Sequence, residues 1–161
     1  MEALPPEVIQ KIALPLHPEQ RIALSSVSRP VRSMLVAERE AAKTSLRVMD
    51  GDVSSLSRFN DALIRIQRLQ RRLQSEPLAH LAGQIRGLPD EVRQSIFDRM
   101  LAEVRHLPED RSDLLTKLAS HIPYLLEPNR PTAFDGVLRA VGALPPADRG
   151  EPLRQLAIRI T

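Results

Sequence analysis

Phe59-Asn60-Asp61-Ala62-Leu63-Ile64-Arg65-Ile66 returns as Phe97-Asp98-Arg99-Met100-Leu101-Ala102-Glu103-Val104 and again as Phe134-Asp135-Gly136-Val137-Leu138-Arg139-Ala140-Val141. The copies are spaced by 38 and then 37 residues, and they use all three phenylalanines of the chain. Within each copy the apolar side chains stand at i, i+3, i+4 and i+7, which is one face of a helix. Leu69, Leu107 or Leu144 ends each stretch three residues later.

A second pattern alternates with the first. Leu78-x-x-Leu81-Ala82-x-x-Ile85 recurs as Leu115-x-x-Leu118-Ala119-x-x-Ile122 and Leu153-x-x-Leu156-Ala157-x-x-Ile160. Leu-Pro junctions at 88–89, 107–108 and 144–145 break one helix and admit proline to the first turn of the next, where its missing amide hydrogen costs nothing. The unit is a helix pair of about 37 residues. A pair that short cannot bury its apolar face alone, so the expected fold is all-α, with neighbours stacked into a HEAT-like α-solenoid. The expected units are 53–87, 88–125 and 126–161. Asp50-Gly51-Asp52 is a turn signal that sets them apart from residues 1–50, and Ser55 or Ser57 is placed to cap the next helix. The last unit reaches Thr161 without a polar capping helix, which the repeat pattern reads as part of a longer array.

Composition narrows the chemistry. The 161 residues include no cysteine, so disulfides, thiolate zinc sites and a cysteine nucleophile are excluded. One tyrosine and three phenylalanines leave the interior to Leu, Ile, Val, Ala and Met. Twenty acidic residues offset 23 basic ones, for a net charge of +3, so charge balance does not point to nucleic acid. No apolar run is long enough for a membrane span and no basic-then-apolar leader opens the chain. His17, His80, His106 and His121 show no metal-ligand spacing and read as surface or helix-end residues. No phosphate loop, dinucleotide fingerprint or nucleophile–base pair is present. The reading is therefore of a non-enzymatic protein with neither cofactor nor metal.

Arginine recurs in two patterns. Arg111, Arg130 and Arg149 are spaced by 19 residues, with Arg93 one residue out of phase. A ladder of this kind either binds an acidic partner or braces the structure, by pairing with acids such as Asp98 and Asp135 or by capping helix ends. The bracing role is expected. Arg65, Arg68, Arg71 and Arg72 are expected on one helix, as a solvated face rather than a nucleic-acid surface, because no interleaved aromatic accompanies them.

The amino-terminal stretch has its own order. Leu4-Pro5-x-Glu7-Val8-Ile9-x-x-Ile12 is followed, after Pro15 and Pro18, by Leu24-Ser25-Ser26-Val27-Ser28-Arg29-x-Val31-Arg32-x-Met34-Leu35. This resembles the F-box, the three-helix motif by which substrate receptors dock on the adaptor subunit of cullin-based ubiquitin ligases. The resemblance implies that Leu4, Pro5, Val8, Ile9 and Ile12 contact the adaptor, supported by Val27 and Met34. It departs from the usual pattern where Pro30-Val31 replaces tryptophan. Inside the chain, Leu88-Pro89-Asp90-Glu91-Val92 echoes Leu4-Pro5-Pro6-Glu7-Val8, so a divergent repeat is the competing reading of the same residues.

An F-box-like module on helical repeats, in an Arg-, Leu-, Ala- and Pro-rich chain, is similar to effectors that bacteria inject into eukaryotic cells by type III secretion. That resemblance implies a host cytoplasmic or nuclear location. It also implies two partners, the host ligase adaptor subunit and a host target held by the repeats. The alternative is a scaffold that binds and blocks a host protein without recruiting a ligase. With the motif starting at residue 4, an export signal is expected to lie upstream.

Overall fold

The computed structural model describes residues 6–13, 15–26, 35–51, 53, 55–108 and 110–158. Among these the fold is all-helical. Its α-helices are α1 (Pro6–Ala13), α2 (Pro18–Ser26), α3 (Val36–Asp50), α4 (Leu56–Gln67), α5 (Ser75–Gly83), α6 (Asp90–Val104), α7 (Arg111–His121), α8 (Arg130–Gly142) and α9 (Gly150–Ala157). Short 3₁₀ turns, such as Arg71–Leu73 and Ile122–Tyr124, join several of them.

The repeated patterns form the helices they predict. The phenylalanine stripes lie on α4, α6 and α8, and the Leu-Leu-Ala parts of the leucine stripes on α5, α7 and α9; Ile85 and Ile122 fall in the 3₁₀ turns that follow, and Ile160 lies outside the described residues. Phe59 and Phe97 are fully buried, and Phe134 on the last pair is half-buried. One contiguous core of Leu, Ile, Val, Ala, Met and Phe runs from Val48 to Leu156. The helices α5, α7 and α9 stand side by side, each packed on the next.

That row continues toward the amino terminus. Helix α3 packs against α5, and α2 packs against α3. The buried residues Ala41, Ser45 and Val48 of α3 hold the places of Leu78 and Ala82 of α5 and of Ile85 in the turn after it, 37 residues earlier. The Asp50–Gly51 turn falls where the sequence put it. Gly51 is extended rather than left-handed, and its need for glycine is one of space: a Cβ there would sit 2.7 Å from the Arg47 carbonyl oxygen. Ser55 caps α4 by accepting from the Arg58 amide. Residues 27–34, part of the F-box-like stretch, lie outside the described residues; α3 begins at Val36.

The arginine ladder is a bracing device. From α4 onward, each turn between helices leaves the carbonyl of a leucine just past the helix end without a partner in the helical ladder. A side chain four or five residues downstream donates to it in every case. Arg93 donates to Leu88 at 2.7 Å, Arg111 to Leu107 at 2.6 Å, Arg130 to Leu125 at 3.0 Å and Arg149 to Leu144 at 2.7 Å. Gln74 does the same for Leu69 at 2.8 Å, so the series has a fifth member that is not an arginine. Arg93 also reaches the Tyr124 carbonyl in the turn after α7 and pairs with Asp90. The expected acidic partners differ, since Asp98 accepts from Gln94 and Arg99 crosses to Asn60 instead.

Arg65, Arg68, Arg71 and Arg72 do not share one helix. Helix α4 ends at Gln67, and Arg71 and Arg72 belong to the 3₁₀ turn. The Gln74 amide donates to the carbonyls of Gln67 and Leu69, occupying acceptors that a continuing helix would use. Arg72 pairs with Glu38 on α3.

The glutamine at 74 supplies an internal control for the cap. Arg149→Gln is expected to retain native stability, and Arg149→Ala to lose about 1–3 kcal/mol, the usual cost of orphaning a buried carbonyl. Urea denaturation of the two variants beside wild type measures both.

Candidate functional site

A groove of about 750 Å³ runs across the first turns of α5 and α7, from the loop before α2 to the turn before α9. Its geometry comes from how adjacent units are latched. The Ser75 hydroxyl, in the first turn of α5, donates to the Asp110 carbonyl just before α7. The Ser112 hydroxyl, in the first turn of α7, donates to the Asp148 carbonyl just before α9 at 2.8 Å. On α3 the same register position is Glu38, which is buried and accepts from the Arg72 guanidinium at 2.8 Å. Each latch draws the turn of one unit onto the helix start of the unit before it. Asp110 adopts a left-handed conformation (φ 53°), a region that asparagine and aspartate tolerate better than other side chains.

The groove has two electrostatic halves. At the amino-terminal half lie His17, Arg21, Arg72 and His80. Arg21 is buried and donates to Glu76, which also faces His80 at 3.9 Å. Burial raises the Glu76 pKa, but the hydrogen bonds from His80 and Arg21 outweigh it and hold the carboxyl below its ordinary value. The other half carries Asp110, Asp113 and Asp148, all exposed. The two serines in the groove commit their hydroxyl protons to main-chain carbonyls, which is the chemistry of a latch and not of an activated nucleophile.

The adaptor-contact residues separate into two sets. Leu4, Pro5, Val27 and Met34 lie outside the described residues, and Ile9 belongs to α1. Val8 and Ile12 stand one turn apart on α1 and are 39 % and 49 % exposed, forming a short apolar strip at the surface. Ala13 next to them is buried.

The histidines divide as well. His17 and His106 are exposed, His80 is half-buried against Glu76, and His121 is buried at the end of α7. His121 thus takes the helix-end position among the two expected for the histidines, and it is buried because the end of α7 is covered by the end of α5. Among the described residues no three His, Asp or Glu side chains gather as a metal site, and no helix is long and apolar enough to cross a membrane. The chain matches no protein-family model, no curated protein and no solved structure.

The latch serines escaped the sequence reading, although Ser75 and Ser112 lie 37 residues apart, in step with the leucines. Their signal was a repeated small polar residue at a helix start, which on its own reads as a cap.

His121 makes the fold sensitive to acid. Burial lowers its pKa from 6.5; the Gly83 carbonyl opposes this, and Lys117, the Ala82 carbonyl and Arg86 contribute less, with the two cations lowering it further. Neither ring nitrogen makes a well-formed hydrogen bond among the described residues, so the carbonyls offset burial only in part. The unfolded chain therefore binds a proton near pH 6.5 that the folded chain refuses until a lower pH. Stability is unaffected well above that value and falls as pH drops through it, with a slope of at most about 1.4 kcal/mol per unit. Thermal melts between pH 7.5 and 5.5 are expected to show this loss in wild type and a flatter profile in His121→Gln.

Proposed function

We propose that this chain is a non-enzymatic protein-binding scaffold, a HEAT-like α-solenoid of helix pairs whose groove holds an extended segment of another protein. The observation that carries the reading is the groove itself, which crosses successive units at their latches and so offers equivalent positions at repeated spacing. Stacked helix pairs commonly bind extended partners along such surfaces. Exposed Asp110, Asp113 and Asp148 favour a segment with lysine or arginine toward the carboxy-terminal half. A library of extended peptides rich in lysine and arginine, screened on the immobilised protein, is expected to yield binders. These should bind Asp113→Arg/Asp148→Arg at least tenfold more weakly at unchanged melting temperature. Equal binding by both proteins, or no selected peptide, removes the proposal.

The exposed Val8–Ile12 strip favours a second role for the same chain. In this reading α1 supplies the F-box-like contact and docks on the adaptor subunit of a host ubiquitin ligase, while the groove presents a host protein. The chain would then act inside a host cell after type III secretion. Because both residues are at the surface, their substitution should leave the core intact, so Val8→Glu/Ile12→Glu separates docking from folding. A pull-down with the purified adaptor subunit is expected to retain wild type and lose this variant. Absence of wild-type binding, or equal retention of the variant, leaves the scaffold alone.

A further inference from the structure

The repeats allow the last unit of the helix stack to be compared with its middle, position by position. Leu78 of α5 and Leu115 of α7 are fully buried, while Leu153 in the same register of α9 is 40 % exposed. Ala82 and Ala119 are fully buried, and Ala157 is exposed. Along the other layer Leu63 of α4 is buried, Leu101 of α6 is half-buried, and Leu138 of α8 is 42 % exposed. Leu101 shows which way this position faces. A Cβ on Gly136 would lie 2.8 Å from its Cδ2, so the side chain points at the succeeding unit. Leu138, Leu153 and Ala157 therefore belong to a face that, in each preceding unit, is covered by another helix pair.

The polar half of that interface is not repeated. Glu38, Ser75 and Ser112 latch α3, α5 and α7 each to the succeeding unit, and the same register position on α9 is Gly150, which has no side chain to donate. The edge keeps the apolar contact surface and lacks the bond that fixes a successor in the internal geometry. The missing latch at Gly150 disfavours head-to-tail addition in the internal geometry and favours contact of like with like. Asp135 and Arg139 are exposed one turn apart beside Leu138, so an antiparallel copy of α8 brings each opposite its complement.

We propose that the α8–α9 face is a self-association surface on which two copies of this chain meet in an isologous pair, with Leu138 and Leu153 at its centre. Sedimentation equilibrium of the full chain across 1–100 μM tests it. Wild type is expected to approach twice the monomer mass. Leu138→Glu and Leu153→Glu are expected to weaken association at least tenfold with unchanged helical circular dichroism, since both side chains are already at the surface. Val8→Glu/Ile12→Glu should leave the pair intact. A monomer throughout the range overturns the proposal and assigns the face to a different chain or a further helix pair. Growth beyond two copies, or dissociation by the amino-terminal variant, overturns it in favour of head-to-tail stacking.

Discussion

The carbonyl at the end of a helix governs this molecule. A chain that reverses direction every 19 residues or so creates such ends repeatedly, and from α4 onward each one brings a leucine, half-buried at 69 and buried at the other four turns, whose carbonyl oxygen has lost its place in the helical ladder. Water cannot reach it freely, and leaving it bare costs more than any single surface contact returns. Arg93, Arg111, Arg130, Arg149 and Gln74 answer that demand from the start of the next helix. The same bond that satisfies the oxygen fixes the angle at which the next helix departs, so satisfying the turns and placing the helices are a single act.

With the turns fixed, burial between helices does the rest. Leu78, Leu81, Leu115 and Leu118 lose nearly all contact with water, and each such side chain contributes on the order of 1.5–3 kcal/mol. Ser75, Ser112 and Glu38 add direction to this otherwise unspecific attraction by holding neighbouring units in one register. The groove is the outer surface of those polar joins. Its charge pattern is therefore tied to the architecture: Glu76, Asp110 and Asp148 are there because helix starts and their turns are there, while the latches at Asp110 and Asp148 use main-chain carbonyls and leave the carboxylates to the surface.

The helices from 56 onward were legible because large apolar side chains mark their buried faces at a steady period. Helix α3 was not recognised as a member of the row, since Ala41 and Ser45 fill two of its three buried register positions with small or polar atoms and leave Val48 alone to mark the face. The bracing role of the arginines was readable from their 19-residue spacing, yet the equivalence of Gln74 was hidden, because it resides in a shared donor geometry and not in charge. The break between Arg65 and Arg72 was missed for a related reason. No proline or glycine stands there, and the helix stops because a side chain downstream claims its carbonyls. On the groove, the charged residues could be named from sequence, but only the turn-to-helix latches bring His17, Glu76, Asp113 and Asp148 along one surface.

Tyr124 lies under the Arg86 guanidinium, 4.7 Å from the ring centre, with the His121 ring 6.0 Å away. It is the chain's only tyrosine, and there is no tryptophan. All ultraviolet emission above the phenylalanine band must then originate from one ring, placed where the ends of two successive units meet. The molecule carries its own optical gauge at that seam, responsive to separation of the units and silent to events elsewhere.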